Sequence, residues 1–483
     1  MYDVTIIGCG IVGAAAAYEF SKYDLSVLVL EKENDVGVAA TKANSAIIHV
    51  GYDPPAGTLM AKLNVEGASL AKDICMSLDV PYKQIGALVL AFSNEELSVL
   101  QALLRNGQEN GVSDLSILER HQVLELEPNL SDKVVAALYA PGTAIVIPWE
   151  YALAMAETAV KNGAELMREC NIEKILKHED CYIIPTLRGL IETRYIINAA
   201  GLSSDKIPEM IDSNSSTFTI TPSRGEYYLL DKSEGDLVRH VIYQCPTAQG
   251  KGVIVTPTVH GNLIVGPNAA DTNDVGDVST TSAGMDAVRN AARKSVPGIN
   301  FRANIRNFAG SRAKTDQNDF IINHKNRFIN LAGIASPGLS AAPAIAKMAV
   351  QFVRDDGLDL REKTNFINER KIVRFNKLSH SEKADLVNKN DLYGRVICRC
   401  ETVTEGEIMA ALHSPIPPKS IDAVKRRVGA GFGRCQGGFC APRVVEILSK
   451  FYGIAPKSIC QDGIYTQFLV SETKNTAQKT GLL

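Results

Sequence analysis

The sequence predicts an α/β domain assembled from separated segments, an inserted domain of antiparallel β-strands, and a small helical domain near the C-terminal end. Three observations carry this expectation. The opening stretch, YDVTIIGCGIVGAAAAYEFSKYDLSVLVLEKE, runs from apolar segment through glycine turn and small residues to a second apolar segment, the pattern of a βαβ unit. The middle holds GEYYLLD, HVIYQC, GVIVTPTV and NLIVGPN, short alternating runs that read as antiparallel strands. Late in the chain, four of the ten cysteines cluster in CRC and CQGGFC, in turns beside helix-like segments.

The first unit justifies itself residue by residue. Val4 to Ile7 reads as a buried parallel strand, GCGIVG as the turn, Ala14 to Tyr18 as a close-packed helix, and Ser26 to Leu30 as the second strand, ending at Glu31. Gly8, Gly10 and Gly13 have dinucleotide-loop spacing: one permits the turn, one lets backbone approach a pyrophosphate, and one allows helix and strand to touch. The helix start at Ile11 and Val12 then offers N–H groups and a positive dipole end to phosphate. Glu31, with Lys32 beside it, stands where a carboxylate binds a ribose 2′-hydroxyl, which disfavours a 2′-phosphate. Two features favour FAD over NAD. Ala40 to Asp53, ATKANSAIIHVGYD, is too polar and glycine-broken for a routine connection. GIASPGLSAAP starts a helix near Gly338 whose N-terminus can stabilise charge on a reduced flavin. TRYIINAAG, read as a strand ending at Gly201, and FINLAGIASPGLSAAPAIAKMAVQFV, a strand, turn and helix, supply the remaining α/β segments of this Rossmann-like domain.

The expected boundaries are residues 1–80, 145–215 and 325–355 for the FAD-binding domain, 81–144 and 216–324 for the substrate domain, 356–394 for a charged linker, 395–455 for the cysteine domain and 456–483 for a polar tail. A chain of 483 residues is too long for one core. A net charge of −3 excludes a generally basic nucleic-acid binder, and no apolar run is long enough to span a bilayer. Met1 leads straight into a strand, so no signal peptide and a cytoplasmic location are expected, with peripheral contact at the inner membrane only through a partner. Thiols are then reduced, and Cys9, Cys75, Cys170, Cys181, Cys245 and Cys460 read as packing residues.

On GCGIVG with Glu31, TKANSAIIHVGYDPPAGTLMAKLNVEG, INAAGLSSD, SRGEYYLL, GNLIVGPNA, FAGSRAKTDQNDFII and GIASPGLSAAPAIA, the first 350 or so residues resemble the FAD-dependent oxidoreductases of the D-amino-acid oxidase and glycerol-3-phosphate dehydrogenase superfamily. The resemblance implies a flavin domain built from separated segments, with a β-sheet substrate domain over the ring. It implies that Thr41, Asn44, Ser45 and Ala46 line the flavin, that the stretch from Asn198 to Gly201, with Ala200, passes the adenosine end, and that Gly310, Gly333, Gly338, Leu339 and Ser340 approach the ring.

Cys398 and Cys400, with Cys435 and Cys440, can surround one metal centre. Thr404 and Glu407 form a capping-box pattern that starts a helix; SIDAVKRRVG reads as a second helix, and APRVVEILSKFY, with Pro442 in its first turn, as a third. Four thiolates suit a zinc ion as well as an iron–sulfur cluster. The flavin upstream favours a 2Fe-2S cluster, because a two-electron acceptor beside a one-electron carrier makes a converter. CRCETVTEGEI and GFGRCQGGFC also resemble the bacterioferritin-associated ferredoxin-like domain. Four residues separate the last two cysteines rather than two, as in versions fused to flavin dehydrogenases. The whole layout resembles the catalytic subunit of anaerobic-type glycerol-3-phosphate dehydrogenases. That implies a redox partner, either a flavoprotein or iron–sulfur subunit or quinone, and leaves room for an oligomer.

For the substrate end, the superfamily places an anion-binding arginine at Arg312, followed here by Ala313 where many relatives have proline. A guanidinium fork suits carboxylate or phosphate. Arg224 is the second anion candidate and Lys314 a weaker one. Hydride transfer from a secondary alcohol needs a base, with His49 first and His260 as alternative, while Tyr227 is a pocket-lining candidate. The expected substrate is a small anionic polyol phosphate or hydroxy acid: glycerol 3-phosphate first, with L-2-hydroxyglutarate or an amine or amino acid as the alternatives.

Overall fold

A computed structural model describes residues 1–212, 218–246, 252–272 and 274–471; the end of the expected tail, 472–483, lies outside them. The chain forms two compact units, one of Met1–Leu30 with Val36–Arg370, the other of Glu31–Asp35 with the chain from Lys371 onward.

In the larger unit, Tyr2–Ile7 is the centre of a parallel array. It pairs with Gly189–Asn198 on one side and Val27–Leu30 on the other, and Phe328–Ala332 and Glu165–Met167 extend the array outward. Segments far apart in sequence meet here because Val4–Ile7, Val27–Leu30, the end of Gly189–Asn198 and Phe328–Ala332 are apolar runs buried in the parallel array, with the unburied Glu165–Met167 at its edge. The strand read as reaching Gly201 ends at Asn198, where Asn198 Oδ1 accepts from the Ala200 N–H at 3.3 Å and turns the chain out of the sheet. The buried alanines of helix Ile11–Phe20 allow close contact with helices Pro148–Lys161 and Gly338–Asp355.

A nine-stranded sheet joins Ala87–Ala91, Ser116–Glu119 and Ala136–Ala140 to the strands between Ile220 and Thr315. The expectation of purely antiparallel strands needs one correction. Val241–Gln244, the HVIYQC segment, pairs in parallel with Ala87–Ala91 while pairing antiparallel with Ile254–Pro257. These two strands come from remote segments, so no hairpin dictates their direction. One face of this sheet packs against helix Ser282–Ser295 through Leu88, Tyr228, Ile242, Val255 and Val288. The other carries Val89, Leu138, Tyr243 and Ile254, with Ile47 and Tyr52 against them.

The smaller unit is built on helices Glu405–Leu412, Ile421–Val428 and Ala441–Tyr452. Thr404 and Glu407 close the predicted capping box, and Ser420 caps the next helix through the Ala423 N–H. Ile408, Leu412, Val424, Val444 and Leu448 form the core. The charged stretch read as a linker contains a helix, His380–Lys389, started by a second capping box of Ser379 and Glu382. None of its residues is buried, so it offers no apolar periodicity to read. Beneath the helices, Asp35 accepts from Arg426 at 2.8 Å and from Arg427 at 2.8 Å, all three buried.

Candidate functional site

The glycine loop is defined by what cannot fit in it. A Cβ on Gly13 would lie 1.9 Å from the Gly8 carbonyl oxygen, and one on Gly8 would lie 2.6 Å from that of Ala199. Gly8 also has a φ of +97°, which side chains resist. Gly10 precedes helix Ile11–Phe20, whose first turn has no acidic residue and no capping side chain at Gly10. The Ile11 N–H donates to Thr41 Oγ1 at 2.9 Å, bringing Thr41 to the loop. Thr41 takes the Ile11 N–H, and the first turn carries no acidic side chain to repel an anion at this helix end. Ala200 and Gly201 follow Ala199 on the same side, and Val12 sits in the first helical turn. Glu31, directly after Val27–Leu30, is buried and accepts from the Glu33 N–H at 2.9 Å, while Lys32 is exposed.

Residues directly opposite one another in a sheet share a face. Tyr227 is opposite Phe308, Gly225 opposite Gly310 and Ser223 opposite Arg312, so Tyr227, Gly310 and Arg312 share one face. Following the register through Val265 and Val255 to Ile242 places Tyr243 on that face too. Arg224 alternates to the opposite face, where it is ion-paired with Asp277 and lies 4.0 Å from Glu226. Arg312, implied by the resemblance, and Arg224, the second anion candidate, are thus separated by the strand period of two.

The shared face meets the loop read as flavin-lining. A Cβ on Gly310 would lie 2.1 Å from the Ala43 carbonyl oxygen. Asn44 shapes that loop by donating to the Thr41 carbonyl at 2.9 Å and accepting from the Ala46 N–H at 2.8 Å, with Ser45 between them. Two positions along from Gly310, Arg312 donates to the Asn268 carbonyl at 3.2 Å and the Ser223 carbonyl at 3.5 Å. Tyr227 is buried and stacked on Phe308 at 4.7 Å, a packing role in this geometry.

His49 is held at three points. Its N–H donates to Ser340 Oγ at 2.8 Å, its carbonyl accepts from Asn64 Nδ2 at 3.2 Å, and its ring Nδ1 lies 3.1 Å from the Tyr243 hydroxyl. Ser340 is in the first turn of helix Gly338–Asp355, beside Leu339, and Gly333 precedes that turn with a φ of +63°. The ring lines a cavity with Tyr52, Asp53, Val89, Tyr243 and Gln244. Burial pushes the Tyr243 hydroxyl far above its ordinary value, so it stays protonated beside the imidazole. His260 is exposed in the turn between Ile254–Pro257 and Leu263–Gly266 of the nine-stranded sheet, whereas His49 follows Ile47–Ile48, a strand of a separate three-stranded sheet. Tyr243 went unnoticed in the sequence, where HVIYQC shows only a strand.

The four cysteines gather as two cross-motif pairs. Cys400 Sγ is 3.6 Å from Cys435 Sγ, and Cys398 is hydrogen-bonded to Cys440. Cys398 and Cys440 are buried in the unit's core, whereas Cys400 is exposed. The Cys440 thiol, against the cost of burial and with the Gly431 and Glu401 N–H groups, brings Cys398 down to about 6. Burial opposes ionisation of Cys435, but the Phe439 N–H and the Cys400 thiol hold it below its usual value. Cys440 and Cys400, their partners, are pushed the other way, so each pair shares a proton between its two sulfurs. Among the described residues, no three ligating side chains close on a single ion.

Residues 3–352 match the family model described as FAD dependent oxidoreductase. The chain belongs to that family. Residues 396–450 match a second model, a BFD-like 2Fe-2S binding domain, so this FAD-dependent oxidoreductase carries that domain behind its flavin part. It is 47% identical, over 99% of its length and 100% of the relative's, to the glycerol 3-phosphate dehydrogenase of Caloramator mitchellensis. It is 34% identical to the glycerol 3-phosphate oxidase of Mycoplasma genitalium, over 75% of this chain and 97% of that one. Among solved structures it resembles the dithionite-reduced L-alpha-glycerophosphate oxidase of Mycoplasma pneumoniae with FAD bound, at a TM-score of 0.73 and 31% identity, covering 77% of this chain and 99% of that one. Membership accounts for the FAD expectation. Among the described residues no helix is long and apolar enough to cross a membrane.

Proposed function

We propose that the protein is a glycerol 3-phosphate dehydrogenase that delivers electrons from flavin, by way of its cysteine domain, to a separate redox partner. The observation that carries this is the coverage of its relatives. Three quarters of the chain spans almost all of a relative named an oxidase, while the relative named a dehydrogenase is matched from end to end, cysteine domain included. An oxidase hands electrons to oxygen; an added one-electron carrier provides another exit.

Gly8, Gly10, Ile11, Val12 and Gly13 hold the FAD pyrophosphate, Glu31 the ribose, and Ser45, Gly310, Gly338 and Leu339 the ring end. Bound FAD supplies a two-electron hydride acceptor. Arg312 binds the phosphate by its fork, on the face that meets the flavin loop. His49, fixed at backbone and ring, takes the hydroxyl proton. The Val89 and Tyr52 side of the cavity limits water around it. Arg224 is already neutralised by Asp277 and serves the sheet instead.

At the cysteine domain, a single zinc with bonds of about 2.3 Å holds four sulfurs in one tetrahedron. The 3.6 Å between Cys400 and Cys435 fits two sulfurs on one zinc or on one iron alike, and the match of residues 396–450 to a BFD-like 2Fe-2S binding domain favours the cluster. Anaerobic titration with glycerol 3-phosphate and with L-2-hydroxyglutarate tests the substrate. Bleaching of the flavin by the first alone supports the proposal; bleaching by the second alone replaces it with a hydroxy-acid dehydrogenase.

A further inference from the structure

The solvent-facing side of the cysteine turn has a composition the rest of the domain does not. The inner thiols, Cys398 and Cys440, are packed with Val403, Ile408 and Val444. The outer pair is different: Cys400 is exposed and Cys435 half-buried. Each of these outer cysteines directly follows an exposed arginine, Arg399 before Cys400 and Arg434 before Cys435. Because the two sulfurs are 3.6 Å apart, the backbone brings the two exposed arginine positions to the same stretch of surface. Phe439, between Gly438 and Cys440, is 85% exposed on the same turn. The neighbouring acid, Glu401, is half-buried, and Arg443, one turn into the next helix, is matched by Glu446 at 2.9 Å. A chain with net charge −3 thus gathers two exposed arginines and an exposed aromatic ring around its outer thiols.

We propose that Arg399, Arg434 and Phe439 form the docking surface for an acidic, soluble electron-carrier protein. Arginine and aromatic side chains are the groups that dominate protein interfaces, and a basic patch raises the encounter rate with an acidic partner while setting its orientation. Charge complementarity selects this occupant: a single exposed ring beside two exposed arginines is too small an apolar area to seat a lipid-borne quinone, but it suits a carrier ringed by carboxylates. The inference rests on the reading that electrons leave through the cysteine domain.

The test uses the full-length holoprotein, an acidic flavodoxin and a basic cytochrome c. Electron transfer to the flavodoxin, and its Kd by calorimetry, should weaken steeply as ionic strength rises. In the double variant Arg399→Glu with Arg434→Glu, both should worsen at least tenfold, while transfer to cytochrome c holds or improves. Phe439→Ala should lower flavodoxin affinity several-fold and leave its salt dependence unchanged. Iron content and substrate bleaching of the flavin should match the parent in every variant, and Phe439→Ala stands in if the charge reversals lose iron. Flavodoxin binding that ignores salt and charge reversal overturns the proposal. So does tight, charge-dependent binding to phosphatidylglycerol vesicles with unaltered flavodoxin transfer. Absent flavin bleaching, or absence of iron from the parent protein, would instead defeat the functional reading beneath it.

Discussion

The glycine loop and the cysteine turn solve opposite problems. At Gly8 and Gly13 the requirement is missing atoms: any side chain there would collide with the backbone at 2.6 and 1.9 Å. At Cys398, Cys400, Cys435 and Cys440 the requirement is atoms present, four sulfurs drawn from two stretches and matched across them. The first site is made by backbone: the loop's own at Gly13, and that of Ala199 on the neighbouring strand's exit at Gly8. The second exists only once the helices between the motifs have packed. The difference teaches where each site is vulnerable: one to added volume, the other to loss of a single sulfur.

Breaking each side separately gives the largest effects. Gly13→Ala should abolish flavin binding, read as the absence of fluorescent FAD from the supernatant of heat-denatured purified protein, with iron retained. Cys435→Ser should do the reverse, removing iron and acid-labile sulfide while the flavin is still bleached by substrate. Retention of a full iron complement in Cys435→Ser would end the pairing account. A smaller effect sharpens the contrast with the substrate face, which neither substitution touches. His49→Gln should slow anaerobic flavin reduction by about 10²–10⁴-fold with flavin and iron both present. Arg224→Gln should slow it far less, since Arg224 is on the opposite face.

The smallest effect concerns the frame that holds the cysteine turn. Burial alone would raise the Asp35 carboxyl, but the Arg427 and Arg426 guanidinium groups hold it well below its ordinary range. A depressed folded value adds stability above the unfolded carboxylate value, about 4, and that stability is lost as pH falls below it. Arg427→Met leaves Asp35 paired with Arg426 and should cost about 1–3 kcal/mol near neutrality, measured by urea unfolding of the C-terminal unit's signal. The gap between parent and Asp35→Asn should narrow as pH drops from 5 to 3; a gap that stays constant would show that the pair contributes no charge-linked stability.

What was legible in the sequence divides along the same line. Gly8, Gly10 and Gly13 were readable because their spacing lies within one turn, and four strands of the parallel array because each holds an apolar run; Glu165–Met167, short and unburied, gave no such sign. CRC and CQGGFC were readable as motifs, yet the pairing of Cys400 with Cys435 depends on how three helices pack. Arg224 and Arg312 looked alike until the register of their two strands set them on opposite faces. Tyr243 needed the same register to meet His49, and the parallel pairing of its strand had no local sign. Asp35 and the Arg426–Arg427 pair are separated by most of the chain, and nothing near either one points to the other. The charged segment before the cysteines hid a helix because its signal is a capping box without an apolar stripe.

The central claim is that substrate electrons enter at flavin and continue into the cysteine domain. The most direct measurement is anaerobic stopped-flow mixing of the purified holoprotein with glycerol 3-phosphate, following flavin absorbance and, in freeze-quenched samples, the paramagnetic signal of a reduced 2Fe-2S centre. The account predicts flavin bleaching followed by that signal, with bleaching but no signal in Cys435→Ser. Flavin bleaching without any cluster signal in the parent protein, or with zinc in place of iron, would contradict it.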